Sequence, residues 1–525
     1  MPNGFRELYV DGKTAKLAES GSMTGSWYRE NGKNRGYIVT GVDLSATTDS
    51  DLEMHWDHRY WRCNRLVVDE VRRDGAKTIL LPEQNSFEWA TVVDFEAAGP
   101  LATNSFTLLN DLSFLDEPGE WFYDRTARKL YYYPQPGEDV NEVEFYIPQI
   151  DTIFELSGTS PEQKLHDVTI ENLELAYTTW QRTLRYGSSA VQADFVSNGP
   201  GNGSHTDAGE LPGALIHSEF ADAITITDCS FHSTGANAVI LENAVSNSTV
   251  QNSTFQNISF SAITISRPQN SFLDQENEEV PRDILIFNNR IDNVGAKYNS
   301  GSGICGYYTD GLTVDHNVIS HTAWSGMTFG WNGWQATEKD SVTHRNLTVT
   351  NNYIYSFAEV SRDSGGLYTL GQCPNAIIAF NHLSKIVRDN AGVFNDEGSA
   401  YYVVYQNVID GVPQYPLKWW TSTIHDMYAY GNYHNEGTTQ NKGTNCFIDE
   451  QTPYTPGNRP EAAQKILDEA GLTTQPYTPL RSAAAGDVAY GKNATFVCPD
   501  GTQDLGAPGH MPQFALNGWD VTYAQ

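Results

Sequence analysis

No two of the six cysteines (Cys63, Cys229, Cys305, Cys373, Cys446 and Cys498) form a Cys-x-x-Cys pair. That spacing argues against a zinc cluster and against the dense disulfide framework of small secreted domains. The cysteines read as buried thiols inside strands, with a late Cys446–Cys498 bridge left open. No run of about 18 apolar residues occurs, so no membrane span is expected. The opening MPNGFRELYV has no apolar signal-peptide core, which leaves a cytoplasmic protein or one whose leader has been removed. Basic residues are also scarce: 33 Lys and Arg face 65 Asp and Glu, a formal charge of −32. So negative a surface repels phosphate backbones and excludes nucleic acid as a partner, but it raises no objection to a neutral sugar.

Charged residues make up only 19% of the chain while aromatic residues reach 12%, the reverse of what disorder requires. Gly, Asn and Ser supply turns, and Tyr, Thr and Val suit strands, so a β-rich chain with many turns is expected. Its 525 residues fit one large domain with accessories, or two to three domains.

The central half repeats itself. ITITDCSF (224–231), STVQNSTF (248–255), ILIFNNRI (284–291), LTVDHNVI (312–319), LTVTNNYI (347–354), AIIAFNHL (376–383) and YVVYQNVI (402–409) share one template, and VTIENLEL (168–175) fits it as well. Each alternates apolar residues, then has a polar pair containing Asn or Asp, then another apolar residue. Anchors at Asn289, Asn317, Asn352, Asn381 and Asn407 recur about every 25 to 35 residues, a solenoid period. A two-residue alternation means strands, and no repeat holds a helical pattern. One short strand cannot bury its inward face alone, whereas stacked coils bury a continuous column. Asn at a matching corner can turn left-handed and bond to its stacked copy. The expected fold class is therefore all-β, a parallel β-helix.

These coils resemble the right-handed parallel β-helix glycoside hydrolases. FRELYVDGKTAKLA (5–18) and LDEPGEWFYDRTARKLYYYP (115–134) are similar to the β-rich N-terminal module that precedes the helix in that group. The second also reads independently as a hairpin, EWFYD and KLYYYP about a polar turn. PEAAQKILDEAGL (460–472) has the composition of a helix ending near Gly471 and resembles the closing helix of the same enzymes. The expected organisation is an N-terminal module over 1–160, a catalytic β-helix over 161–450, and a helix with a small β extension over 451–525. Segments 160–165 and 197–213 are rich in Gly, Ser and Pro and read as loops.

Glycosidic hydrolysis needs two carboxyl groups flanking the scissile bond. The densest candidate is RDNAGVFNDEGSAYY (388–402), where Asp389 and Asp396 stand seven residues apart. Extended chain would separate them by roughly 20 Å, so the loop near 389–391 must fold back if they cooperate. The layout is similar to the lacto-N-biosidase family, which implies Asp389 as acid/base and Asp396 as nucleophile in a retaining exo-glycosidase. Lacto-N-biose (Gal-β1,3-GlcNAc) would then be released from oligosaccharides such as those of milk, by an extracellular or cell-surface bacterial enzyme. Some members of the group need a dedicated folding chaperone. Asp363, in SRDSGGLYTLG, is the rival acid. It precedes a Gly pair one coil earlier, where stacked strands lie about 4.8 Å apart, and β-helix fucosidases and xylosidases pair carboxylates from neighbouring coils. Glu397 follows Asp396, and alternation would turn it to the other face of a regular strand.

Trp324, Trp331 and Trp334 in HTAWSGMTFGWNGW and Trp419 and Trp420 in LKWW suggest a sugar cleft, with His321 as a candidate for hydroxyl contacts. About half of these tryptophans are expected to be packing alone. The remaining histidines are scattered, and no cofactor is needed for the chemistry. A structural Ca2+ is compatible with so acidic a chain, although no EF-hand-like loop is present. Two other classes stay open. A polysaccharide lyase needs a cation to neutralise a uronate, and only Arg362, Lys385, Arg388 and Lys418 lie near the candidate coil. A carbohydrate-binding β-helix would bind sugar without turnover.

Overall fold

The computed structural model describes residues 5–42, 44, 52–56, 61–92, 105–189, 192–196, 210–268, 277–331, 344–388, 390–478, 494–498, 501–504, 515–516 and 519–523. Each repeat divides into two short strands around a corner; in 284–291 the strands Leu285–Phe287 and Arg290–Val294 flank Asn288 and Asn289. The left-handed residue is not the anchor, as expected, but the one before it. Its φ is 51° at Asn252, 57° at Asn288, 54° at His316, 54° at Asn351 and 48° at Gln406. Turning the chain one residue early leaves the anchor side chain pointing into the column.

Three parallel sheets of ten strands result, one strand per coil in each, forming a right-handed parallel β-helix. The first sheet runs from Phe154–Ser157 to Gly365–Thr369, Ala391–Asn395, Tyr415–Trp419 and Gln440–Asn441; the second from Leu165–Glu171 to Phe447–Asp449; the third from Glu174–Ala176 to Thr452–Pro453. Ile304, Met327, Leu367, Val393 and Leu417 stack in register along the inside of the first sheet and join the other two sheets in one core. Burying such side chains stabilises by about 1.5–3 kcal/mol each.

The anchors form a continuous buried ladder. Amide bonds run from Asn289 to Asn317 (3.0 Å), Asn352 (3.0 Å), Asn381 (2.9 Å), Asn407 (3.0 Å) and Asn432 (2.9 Å). Each Oδ1 from Asn317 onward also accepts the backbone N–H of the anchor one coil earlier, and each Nδ2 donates to a backbone carbonyl. The corner's polar groups are thereby satisfied where water cannot reach.

The expected hairpin is present, with Glu120–Asp124 antiparallel to Lys129–Tyr132. The largest sheet of the N-terminal module takes in Ser188–Ser189, which pairs with Asn64–Asp74 and ties the module to the helix. A Cβ on Gly187 would meet the Arg65 carbonyl at 2.2 Å, so this join requires glycine. The helix Glu461–Glu469 buries Ala463 and Ile466 against Val408 and Tyr454. A second helix, Gln84–Val92, was not apparent in QNSFEWATV and buries Phe87 in the module core. Residue 165 already begins a strand, and 197–209 lie outside the described residues. The tail contributes a small antiparallel sheet, from Ala494–Cys498 to Trp519–Tyr523. Cys63, Cys229, Cys305, Cys373 and Cys446 are free and buried, so no bridge joins Cys446 to Cys498. Among the described residues no helix is long and apolar enough to cross a membrane.

Replacing Asn352 by Ala strips the buried Asn317 N–H and amide of their acceptor. Each vacated group should cost about 1–3 kcal/mol, read as a lower urea midpoint. Asn293→Ala, which removes an exposed Asn293–Asn257 bond, should cost less than about 0.5 kcal/mol. Equal losses in the two variants would contradict a stabilising ladder.

Candidate active site

Alternation along the first sheet divides its side chains between core and outer face. Thr369, Asn395 and Trp419 turn inward, with Asn395 bonded to Thr369 at 2.8 Å and to the Trp419 indole at 2.8 Å. Tyr368, Phe394 and Lys418 stack in register between these inward columns and face outward. Two glycines set the approach to this face. A Cβ on Gly366 would meet Leu383 at 2.5 Å, and one on Gly392 would meet Ile409 at 2.5 Å. Their absence lets the chain turn tightly out of the third sheet, carrying Asp363 and Asn390 over the outer face.

Asp363 occupies the left-handed region with φ of 56°, a conformation Asp tolerates better than most residues. The Trp324 indole donates to its carbonyl at 3.0 Å. Asp396 directly follows the strand Ala391–Asn395 and is buried. Its N–H donates to the Thr369 carbonyl at 2.9 Å. Its carboxylate accepts three bonds: from the Tyr368 hydroxyl (2.6 Å), the Trp420 indole (2.5 Å) and the Glu397 N–H (2.8 Å). Gln192, from the segment that joins the module to the helix, donates to the Tyr368 hydroxyl at 3.2 Å.

Burial and the neighbouring Asp396 charge push the Asp363 carboxyl up to about 7, against the pull of Lys418 and an Asn390 hydrogen bond. Asp396 is also raised by burial, but its bonds from Tyr368, Trp420 and Glu397 favour its charged form. Two carboxyls that repel in a poorly hydrated site titrate as a pair. Of the two, Asp363 keeps its proton more readily, because Asp396 has the better set of donors to its charged form. The Lys418 amine sits 3.9 Å over the Phe394 ring and donates to Asn390 at 2.8 Å. Burial lowers its pKa while both aspartates raise it. Glu397 is half-buried and is raised by burial and by Asp396.

Among the sequence candidates, the structure brings together Asp396, Asp363, Glu397 and Trp420. Asp389 and Trp334 lie outside the described residues. Three tryptophans expected to line a cleft are packing instead. Trp419 is in the column interior, Trp331 is buried against Phe195, and Trp324 is buried under Tyr368, where it braces the Asp363 turn. Their flat apolar rings fill space under the outer face rather than line it. His321 bonds Asp292 at 2.7 Å in the third sheet and so belongs to a different face. Glu397 is at the site because the strand ends at Asn395, so the alternation that predicted the opposite face no longer applies. Tyr368, Asn390, Lys418 and Gln192 were not proposed as site residues. Of these, the sequence marks Lys418 as one of few cations near the coil and Asn390 as part of the bend that would fold Asp389 back. Three-residue ligand clusters of His, Cys, Asp or Glu suited to a metal ion do not occur among the described residues.

Residues 2–135 match the family model described as the GH141 insertion domain. Comparison with curated proteins returns no match. Among solved structures the chain is similar to one described as a glycoside hydrolase, at 22% identity and a TM-score of 0.69, covering 90% of this chain and 80% of that one. A complex of XylC with xylose is more distant, at 12% identity and a TM-score of 0.37, covering 81% and 66%. An α-1,3-glucanase of Streptomyces thermodiastaticus gives 11% identity and a TM-score of 0.26, covering 86% and 83%. The likeness to the first of these, at a TM-score of 0.69, establishes the fold.

The Asp363 proton carries a signature in stability. A carboxyl raised in the folded state binds its proton more tightly there than in the unfolded chain, so its contribution falls as pH rises from about 4 through about 7. Asp363→Asn removes that loss. The variant should therefore melt higher than wild type at pH 8, with the difference vanishing near pH 4. A constant difference across the range would show that Asp363 titrates normally.

Proposed function

We propose that the protein is a glycoside hydrolase in which Asp363 donates the proton and Asp396 acts as the carboxylate. The observation that carries this reading is the asymmetry of the pair: one acid held protonated near neutrality, and one anion gripped by three donors on the same outer face. Environments that push two carboxyls apart assign an acid and a base. Asp363 delivers its proton to the departing glycosidic oxygen. Asp396 attacks the anomeric carbon, and water, deprotonated by Asp363, then releases the sugar with retained configuration. Tyr368 orients Asp396, and Trp420, the exposed tryptophan of the LKWW run, offers an aromatic face to a sugar ring.

Two site arrangements compete. The coil layout of the lacto-N-biosidase family favours lacto-N-biose release, with Asp389 as the acid. The electrostatic coupling of Asp363 to Asp396 across neighbouring coils favours the α-L-fucosidase or β-xylosidase arrangement. A panel of nitrophenyl glycosides, including the lacto-N-bioside, α-L-fucoside and β-xyloside, separates them, and the anomer released, read by NMR, reports retention or inversion.

Asp396→Asn should abolish hydrolysis. Asp363→Asn should lower kcat by about 10²- to 10⁴-fold on natural glycosides and far less on dinitrophenyl glycosides, whose leaving group needs no proton. Wild-type activity should fall on the alkaline side near pH 7, where Asp363 loses its proton. An Asp389→Asn variant showing that leaving-group dependence, with Asp363→Asn unaffected, would transfer the acid role to Asp389. Unsaturated product absorbing in the ultraviolet would replace hydrolysis by lyase chemistry.

A further inference from the structure

A concave region lies where the N-terminal module meets the corner after the third sheet, and neither paired aspartate lines it. It has a volume of about 630 Å³ and is lined by Arg6, Lys13, Lys16, Arg65, Asn257, Asn293 and Lys297, among others. A chain of charge −32 has few cations to spare, yet five of them converge here, beside the lining carboxylates Glu7 and Glu19.

The inner wall is buried and carries three cations against two carboxylates. Arg6 and Arg65 both bond Glu53, at 2.6 and 3.2 Å, while the Lys297 amine pairs with Glu7. Arg65 also donates to the Lys297 carbonyl at 3.2 and 3.1 Å, which locks the module onto the helix. Within this network the buried Arg6 Nε–H has no acceptor among the described residues. Burial, Arg6 and Arg65 together drive the Lys297 amine down to about 7. At the mouth, Lys16 is held by Glu117, Glu120 and Glu19, whereas exposed Lys13 makes no ion pair among the described residues. Neutral groups complete the wall: Asn257 and Asn293, bonded to each other at 2.7 Å, with Ser259 and Thr14.

We infer that this cavity is a binding site for an acidic sugar, with its carboxylate or sulfate toward Arg6 and Lys13 and its hydroxyls against the asparagine wall. A cavity of this size holds a mono- or disaccharide. A bare anion would satisfy the charge but leave the neutral wall unused. The site is independent of the hydrolytic reading.

Calorimetric titration with D-glucuronate and galactose 6-sulfate tests this on the whole chain. Saturable binding of at least one acidic sugar is expected, with glucose at least tenfold weaker. Lys13→Glu should weaken the acidic sugar tenfold or more without changing hydrolytic rate, and Lys297→Met should do the same provided its melting curve shows it folded. Asp396→Asn should leave this affinity unchanged, which separates the site from the paired aspartates. The inference is overturned by no saturable binding of either acidic sugar, by equal binding of glucose, by inorganic sulfate competing as well as the sugars, or by undiminished binding in Lys13→Glu.

Discussion

A buried corner cannot leave its amides without partners, and in this protein the requirement is met by one asparagine per coil bonding to the next. That ladder locks successive coils in phase, because a slip of one residue would turn every core side chain outward. Strand register in the first sheet follows from the same phase. Leu367, Val393 and Leu417 stay inside, so Tyr368, Phe394 and Lys418 stay outside and above one another. The outer face is therefore assembled by residues about one coil apart in sequence. Its geometry is only as firm as the corner beneath it.

The chemistry of that face comes from placing acids where water is sparse. Asp363 and Asp396 arrive from neighbouring coils, the first on a left-handed turn braced by Trp324 and the second at a strand end. Burial raises both and the Asp396 charge raises Asp363 further, while hydrogen bonds to Asp396 favour its charged form. Lys418 moderates the pair from one side, held by Asn390 and the Phe394 ring. The join at Ser188–Ser189 matters here as well, since the segment leaving it brings Gln192 to Tyr368. The N-terminal module thus contributes to the position of a residue that orients Asp396.

The fold was legible in the sequence because a solenoid writes its period into the chain: eight copies of one apolar alternation and recurring asparagines. What escaped was local. The left-handed residue falls one place before each anchor, since polar corner pairs such as Asn288–Asn289 look alike and only the inward bond distinguishes them. The helix Gln84–Val92 lacks an apolar period, and module contacts sustain it. Within the candidate site, Asp396, Glu397 and Trp420 stand out in the sequence as part of a cluster of acids and aromatics. Trp324, Trp331 and Trp419 were indistinguishable from them by composition, because a buried ring and a sugar platform are the same residue type. Tyr368 and Lys418 become visible only when stacked strands are set in register, and the register depends on loops of unequal length.

The central claim is that Asp363 and Asp396 are electrostatically coupled on the outer side of the first sheet. Carboxyl-carbon NMR of protein labelled at aspartate tests it most directly, comparing wild type with Asp396→Asn. The account expects Asp363 to titrate near 7 in the wild type, and distinctly lower once the Asp396 charge is gone. A resonance titrating near 4 in both proteins would contradict it.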